Sequence, residues 1–296
     1  MVHTLRSSKL KPRWLSSLLE KVKRHSLLQK LLVDLKFSAD KNMNQLLIFT
    51  GAGLSAESGI ATFRDNEDGL WTKYDPDEVC NLRTFAKNRE LVFKFYNERR
   101  AQLPSLKPNA AHYGLAALQK QYGKDRVKIF TQNIDDFLER AGCEDVVHVH
   151  GKFTDLQCLK CGHVWDVGYE VMHMNDECVN CGEVGFLKPG VVFFGENAPN
   201  YPLLYSTFKK ARNDVILVIG TAGEVVPLEY IVGNQYSPNK PFSILCNKDF
   251  DRGGPIPYHD FDVCMFKPAT EAIVQLSLIV EKKMDEFAVK TAAQVS

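Results

Sequence analysis

Two Cys-x-x-Cys pairs, Cys158-Leu-Lys-Cys161 and Cys178-Val-Asn-Cys181, stand sixteen residues apart near the middle of the chain. Each pair makes a knuckle whose two thiolates share one metal ion, and two knuckles complete a tetrahedral S4 set. Gly162 and Gly182 follow the second cysteine of each pair, where such a turn calls for a residue without a Cβ. Four thiolates leave no coordination position for water, so the expected Zn2+ is structural. His163 and His173 lie close by and are read as solvated. The segment folded around this ion, 152–188, is rich in Cys, Gly and His and interrupts the pattern on either side of it.

That outer pattern is alternation. Apolar runs of strand length recur at 46–50, 127–131, 146–149, 215–219 and 242–246. Helical periodicity fills 84–100, 110–122, 135–141, 201–212 and 269–287. Strand and helix in turn predict an α/β fold, a Rossmann-like parallel sheet with helices on both faces plus the small zinc-binding module. The expected division is a basic extension over 1–42, the Rossmann-like domain over 43–151 and 189–290, and the zinc module over 152–188.

The formal net charge of +1 conceals an asymmetry. Residues 1–42 hold ten Lys/Arg against three Asp/Glu, and the rest holds 27 basic against 33 acidic residues. A mildly acidic body is not that of a nucleic-acid binder. No apolar run approaches the roughly 18 residues that span a bilayer, so no membrane role is expected. Cys80, Cys143, Cys246 and Cys264 are scattered, and no secretory h-region precedes a cleavage site. A reducing compartment, the cytoplasm, follows. The basic amphipathic leader around Trp14, Leu18 and Lys21 gives a mitochondrial address as the alternative.

The first strand runs into Gly51-Ala52-Gly53-Leu54-Ser55-Ala56, a strand–turn–helix fingerprint for phosphate, with Ala56 in the third position. An ordinary dinucleotide domain would then offer a second strand ending in an acid about 20 residues on. Residues 62–83 instead read as a long polar loop, which argues against an ordinary dehydrogenase. Thr131-Gln132-Asn133-Ile134-Asp135 follows the strand at 127, where open α/β sheets bind ligands. His148 and His150 alternate in the next strand and so are expected on one face; His150 lies nearer its end, and Gly151 is expected to open space beside the ring.

Taken together, Gly51 to Ile60, Phe63-Arg64, Thr131 to Asp135, His150-Gly151, the four cysteines and Phe193-Phe194-Gly195-Glu196 resemble the sirtuin (Sir2) family in order and spacing. The resemblance implies NAD-dependent removal of acyl groups from protein lysines, with nicotinamide and an O-acyl-ADP-ribose as products. It implies His150 as the catalytic general base, an imidazole poised near neutral pH. It carries Gly51, Ala52, Gly53, Ala56, Phe63, Arg64, Gln132, Asn133, Ile134, Asp135, Gly220, Thr221, Ala222, Asn247 and Ala269 into the set that binds NAD. Val192, Phe193, Phe194 and Gly195 match the acyl-lysine channel, where a substrate strand adds main-chain hydrogen bonds. Acyl-lysine proteins are the implied partners; the sequence leaves the oligomeric state open, a monomer being compatible with it.

Tyr96 and Arg99 are three apart in the helix at 84–100 and share a face. A phenol with a guanidinium fork suits a terminal carboxylate. The pair resembles that of sirtuins removing succinyl, malonyl or glutaryl groups, with deacetylation secondary. Ala222 stands where the family has Ser, Lys248 where it has an acid beside Asn247, and Asp136-Phe137-Leu138 replaces a more usual Leu-His. These departures bear on NAD affinity. The competing readings are an NAD glycohydrolase or ADP-ribosyltransferase, and an inactive acyl-lysine-binding scaffold.

Overall fold

The computed structural model describes residues 44–60, 74–211, 214–232, 239–250 and 254–295, with backbone alone from 290 onward. The extension over 1–42 and the pair Phe63 and Arg64 lie outside the described residues. Numbered along the chain, the strands are β1 (Leu46–Thr50), β2 (Val127–Thr131), β3 (Val147–His148), β4 (Gly151–Cys158), β5 (Val164–Asp166), β6 (Leu187–Val191), β7 (Val215–Ile219), β8 (Phe242–Asn247) and β9 (Val263–Phe266). The α-helices are α1 (Pro76–Val79), α2 (Leu82–Gln102), α3 (Ala110–Tyr122), α4 (Phe137–Arg140), α5 (Tyr201–Lys209) and α6 (Ala269–Val295).

Six strands form one sheet in the order β3-β2-β1-β7-β8-β9, all pairs parallel. This is the Rossmann-like sheet that the alternation predicts. Central β1 and β7 are buried along their whole length, as continuous apolar strands of a doubly covered parallel sheet must be. Their side chains divide by parity. Leu46, Ile48 and Leu217 pack with Leu115 of α3 and Ile273, Leu276 and Val280 of α6. Leu47, Phe49, Ile216 and Val218 pack with Leu204 and Phe208 of α5. Each such fully buried aliphatic or aromatic side chain contributes about 1.5–3 kcal/mol by leaving water. β9 was not anticipated; its run Val263-Cys264-Met265-Phe266 pairs as the last strand of the sheet.

The remaining strands form a separate antiparallel sheet, β5-β4-β6. Helix α2 belongs to this sheet's core. Its Phe85, Val92, Phe93, Phe95 and Tyr96 join Phe153, Leu156, Leu187 and Phe193 in one buried cluster. Arg100, fully buried, ties them by donating from Nε to the Phe153 carbonyl at 2.8 Å. Helix α2 thus lies within 43–151 in the sequence and packs on the core of the small sheet. The periodicity of 84–100 marks a helix and does not say which sheet it covers.

Two local expectations also change. The glycine turn leads not into an α-helix but into two short 3-10 turns, Ala52–Leu54 and Ala56–Ser58. The strand at 146–149 is regular only over Val147–His148, so alternation does not extend to His150. Among the described residues, no helix is long and apolar enough to cross a membrane.

Candidate active site

Because all six strands of the large sheet are parallel, their carboxyl ends share one edge. In register, Thr50, Thr131, Ile219, Cys246 and His148 stand in one row across that edge. One step beyond lie Gly51, Gln132, Gly220, Asn247 and Val149. Strand order reverses between β1 and β7, and such a switch point opens a crevice for ligand.

The crevice floor is backbone. Gly51 donates its amide to the Ile219 carbonyl at 3.0 Å, and Gly53 donates to the Gly220 carbonyl at 2.9 Å. A Cβ on Gly51 would stand 2.7 Å from that same carbonyl oxygen; one on Gly53 would meet the Gly220 Cα at 2.8 Å. Gly220 adopts a left-handed φ of 65° and its own Cβ would lie 2.4 Å from the Leu54 nitrogen. Three residues without side chains thus leave a smooth cradle of the kind a pyrophosphate can approach.

Beside the cradle the polar residues form a network. Thr50 and Thr131 share a buried hydroxyl–hydroxyl bond of 2.8 Å. The Thr131 hydroxyl also accepts from the Asn133 amide at 3.0 Å. Asn133 Nδ2 donates to Ser55 Oγ at 3.0 Å, and Ser55 Oγ lies 3.3 Å from His112 Nε2. Asp135 accepts from the Phe137 amide and bonds Ser55. Its burial pushes the carboxyl up to about 6, against the hydrogen bonds that favour the ionised form. His112 is pushed down to about 4 by burial alone, so it stays neutral. Gln132 Nε2 donates to Thr221 Oγ1 at 2.7 Å, and Asn247 Nδ2 donates to the Thr221 carbonyl at 2.9 Å. Ile134 accepts the Phe153 amide through its carbonyl at 2.7 Å, joining the two sheets. Ala52, Ala56 and Ala222 are partly exposed in the turns around the cradle, whereas Ala269 is buried in the core under the head of α6.

His150 and His148 point to different partners. His148, buried, bonds Glu139 Oε1 at 2.7 Å through Nε2 and the Asn133 carbonyl at 2.8 Å through Nδ1. His150 faces the Gln132 carbonyl at 3.1 Å through Nδ1 and the Tyr201 hydroxyl at 2.8 Å through Nε2. Burial lowers its pKa and the Gln132 carbonyl partly offsets this. Gly151, in turn, does not open space beside the ring: with φ at 77°, its missing Cβ makes room for the Gly190 carbonyl, 2.0 Å from where it would stand.

Next to His150, the Val192 amide donates to the His150 carbonyl at 2.9 Å. Phe194 forms a parallel bridge with Asn81, donating to the Cys80 carbonyl and accepting from the Leu82 amide. The segment Val192-Phe193-Phe194 follows β6 and is not itself part of a regular strand. Phe193 is buried and stacks on Tyr96 with ring centroids 5.8 Å apart, while Phe194 is half exposed. Gly195 turns the chain with φ at 86°. Beneath the segment, fully buried Lys188 reaches Glu196 at 3.1 Å and lies over the Phe193 ring at 4.1 Å. Glu196 holds the loop by accepting the Phe193 amide at 2.8 Å.

Tyr96 is buried with its hydroxyl bonded to Cys80, and burial raises its pKa well above the ordinary value. Arg99 rests on the Phe95 ring at 5.2 Å, and its buried Nε has no hydrogen-bond partner among the described residues.

The four zinc-knuckle cysteines meet as their spacing predicts, their sulfurs all within 4.8 Å of one another. Cys158 Sγ lies 3.8 Å from Cys181 Sγ, and Cys161 Sγ 3.7 Å from Cys178 Sγ. An ion bonded tetrahedrally to sulfur at about 2.3 Å requires edges of about 3.8 Å, so Zn2+ fits. Gly162 and Gly182 both take left-handed φ at the knuckle turns. His163 stacks on Trp165 and His173 is exposed; neither joins the sulfurs.

Sequence reasoning passed over Ser55, His112, Lys188 and Tyr201 as site residues. Asn109 and His112, at the cap and third positions of α3, form a reciprocal capping box. That spacing was a readable signal for His112. Ser55 lies inside the Gly51–Ala56 turn motif, whereas nothing local announces Lys188 or Tyr201.

Residues 51–227 match the model of the Sir2 family. An NAD-dependent protein deacylase of Helicobacter hepaticus is 40% identical over 261 residues, covering 83% of this chain and 99% of that protein. One of Campylobacter jejuni is 47% identical over 244 residues, covering 82% and 99%. A Sir2 homologue crystallised with NAD is 35% identical, covers 81% of this chain and 90% of its own, and superposes with a TM-score of 0.64.

Proposed function

The chain belongs to the Sir2 family of NAD-dependent protein deacylases, with a structural zinc site, and from that premise we propose that its preferred substrates are lysines carrying acidic acyl groups: succinyl, malonyl and glutaryl. The observation that carries this reading is Arg99: a guanidinium on the Phe95 ring, with a buried Nε that has no hydrogen-bond partner among the described residues. A buried unsatisfied donor costs about 1–3 kcal/mol, and a substrate carboxylate would relieve it. Tyr96, three residues before Arg99 on the same helix, is buried and stacks on Phe193 of the segment assigned to the acyl-lysine channel.

In this reading NAD supplies the ribose carbon that the acyl oxygen attacks, and the chain positions the partners. The bare backbone of Gly51, Gly53 and Gly220, flanked by Ala52, Ala56 and Ala222, takes the pyrophosphate. Thr221 and Asn247 serve the adenosine side, with Ala269 behind it. Gln132, Asn133, Ile134 and Asp135 are assigned to the nicotinamide ribose end, and Phe63 and Arg64 to the NAD-binding set. His150 Nδ1–H donates to the Gln132 carbonyl, so Nε2 holds the lone pair that takes a ribose hydroxyl proton. Val192, Phe193, Phe194 and Gly195 receive the acyl-lysine backbone and methylenes.

The test is turnover of acetyl-, malonyl-, succinyl- and glutaryl-lysine peptides with NAD, for the parent chain and for Arg99→Met and His150→Ala. His150→Ala is expected to lose about 10²–10⁴ in rate on every peptide. Arg99→Met should lose activity on the acidic acyl groups and keep it on acetyl-lysine. Equal loss on all four peptides would remove the carboxylate clamp. Free ADP-ribose in place of O-acyl-ADP-ribose would favour a glycohydrolase.

A further inference from the structure

The first residue of α5 meets the ring that the reading above makes the general base. Asn200, which precedes the helix, donates from Nδ2 to the His148 carbonyl at 2.8 Å and pins its start to the end of β3. Tyr201 then lies with its hydroxyl 2.8 Å from His150 Nε2, ring centroids 5.9 Å apart. Behind it, Tyr205 packs edge-on at 5.6 Å and Tyr230 at 5.6 Å beyond, so the phenol is held between rings. No sequence motif marks Tyr201.

Hydrogen-bond bookkeeping assigns the protons. The Gln132 carbonyl is an acceptor and nothing else, so Nδ1 of the neutral ring carries the hydrogen. Nε2 therefore holds the lone pair, and Tyr201 must be the donor to it. We infer that Tyr201 is a positioning residue that occupies the proton-accepting nitrogen of His150 until a ribose hydroxyl of the co-substrate takes its place. The exchange balances. One donor leaves Nε2 with its own proton, another arrives, and the arriving hydroxyl's proton passes to Nε2 in the reaction while Nδ1 keeps its hydrogen on Gln132. The phenol thus does two things. It holds the imidazole in the productive tautomer and rotation while the site is empty, and it competes with the co-substrate for the same lone pair.

A donor to neutral imidazole stabilises the uncharged form and lowers its pKa. Among the described residues, the titratable groups facing His150 are Tyr201 and, behind it, Tyr205 on α5. From the β2 side it meets the Gln132 carbonyl, and from the β6 side the Val192 amide bonds its main chain. Removing the hydroxyl alone should therefore raise the His150 pKa.

The inference rests on His150 as base, and the experiment separates the two. In the full-length chain labelled with 15N-histidine, the His150 resonances are identified by their loss in His150→Ala and titrated with and without Tyr201→Phe. The expected results for Tyr201→Phe are an upward shift of the His150 titration and of the acid limb of kcat/KM. With them should come a KM for NAD lowered about 2- to 10-fold, the span of one net hydrogen bond, and a fall in the Tm of the NAD-free protein of only a few degrees, on the order of 1–6 °C. An unshifted titration, or a raised KM for NAD, overturns the inference. If the titration shifts as expected while His150→Ala keeps full turnover, the tie between the two side chains stands and the base assignment fails.

Discussion

Gly53 and Gly220 meet backbone to backbone, the amide of the first donating to the carbonyl of the second at 2.9 Å, with no room for a Cβ on either. The clash on each side is with main chain, which yields less readily than a side-chain tip. Gly220→Ala adds a left-handed φ to the clash and is expected to cost about 1–3 kcal/mol by chemical denaturation. It should also raise the KM for NAD more than the KM for peptide. Equal effects on both would show that the cradle is not specific to the nucleotide.

Zinc should be present at one ion per chain by elemental analysis. Cys158 and Cys178 are buried in the core shared by α2 and the small sheet, so the ion holds together more than its own knuckles. A strong chelator, or Cys158→Ser, is expected to lower the Tm and abolish deacylation together. Retained activity after complete metal removal would contradict this coupling.

Asp135 and His112 both touch Ser55 and titrate in opposite directions. Asp135 is raised from 3.8 to about 6, so the stability it contributes is present below pH 4 and is lost as pH rises through 6. His112 is lowered from 6.5 to about 4, so its contribution is present above 6.5 and is lost as pH falls through 4. Between pH 4 and 6 the two slopes oppose. Asp135→Asn should therefore stabilise the protein above pH 7 by about 2–3 kcal/mol while impairing catalysis, and leave a steeper acid loss. Urea unfolding at pH 4.5, 5.5 and 7.5 measures it; parallel curves for parent and variant would refute the assignment.

Lys188 is wholly buried, so burial lowers its pKa while Glu196 draws it back up. Removing the lysine alone leaves Glu196 poorly solvated beneath the Phe193 loop. Lys188→Met is expected to cost about 3–5 kcal/mol, and the double variant with Glu196→Gln noticeably less. Additive losses in a double-mutant cycle would mean that the pair is not coupled.

Much of this was legible in advance because the relevant signals are local. Buried parallel strands read as unbroken apolar runs, and β1, β2 and β7 begin and end where those runs do. The cysteine spacing specifies a tetrahedron before any fold is known. What escaped depends on contacts distant in sequence. The run at 187–191 contains Lys and Pro and looks like no strand, yet β6 forms because β4 supplies its partner. Tyr201 begins a helix as any aromatic residue could, and its meaning comes from where β3 stops. Helix α2 was visible by period, but the choice of sheet is made by Phe153 and Phe193, far along the chain. His148 and His150 were inseparable by alternation; the strand ends between them, and each ring turns to a different helix.

The chain leaves the large sheet after His148 and rejoins it only at β7, but it draws together at His150 and Val192, where the amide of the second closes on the carbonyl of the first. Everything between is a detour with a pinched neck. A detour of this kind can lengthen, shorten or carry a different tip without disturbing the reaction chamber, provided the neck stays shut. The far end of the module is thus the natural place to attach a tag or graft a recognition surface, and the residues flanking the neck are the wrong place to cut.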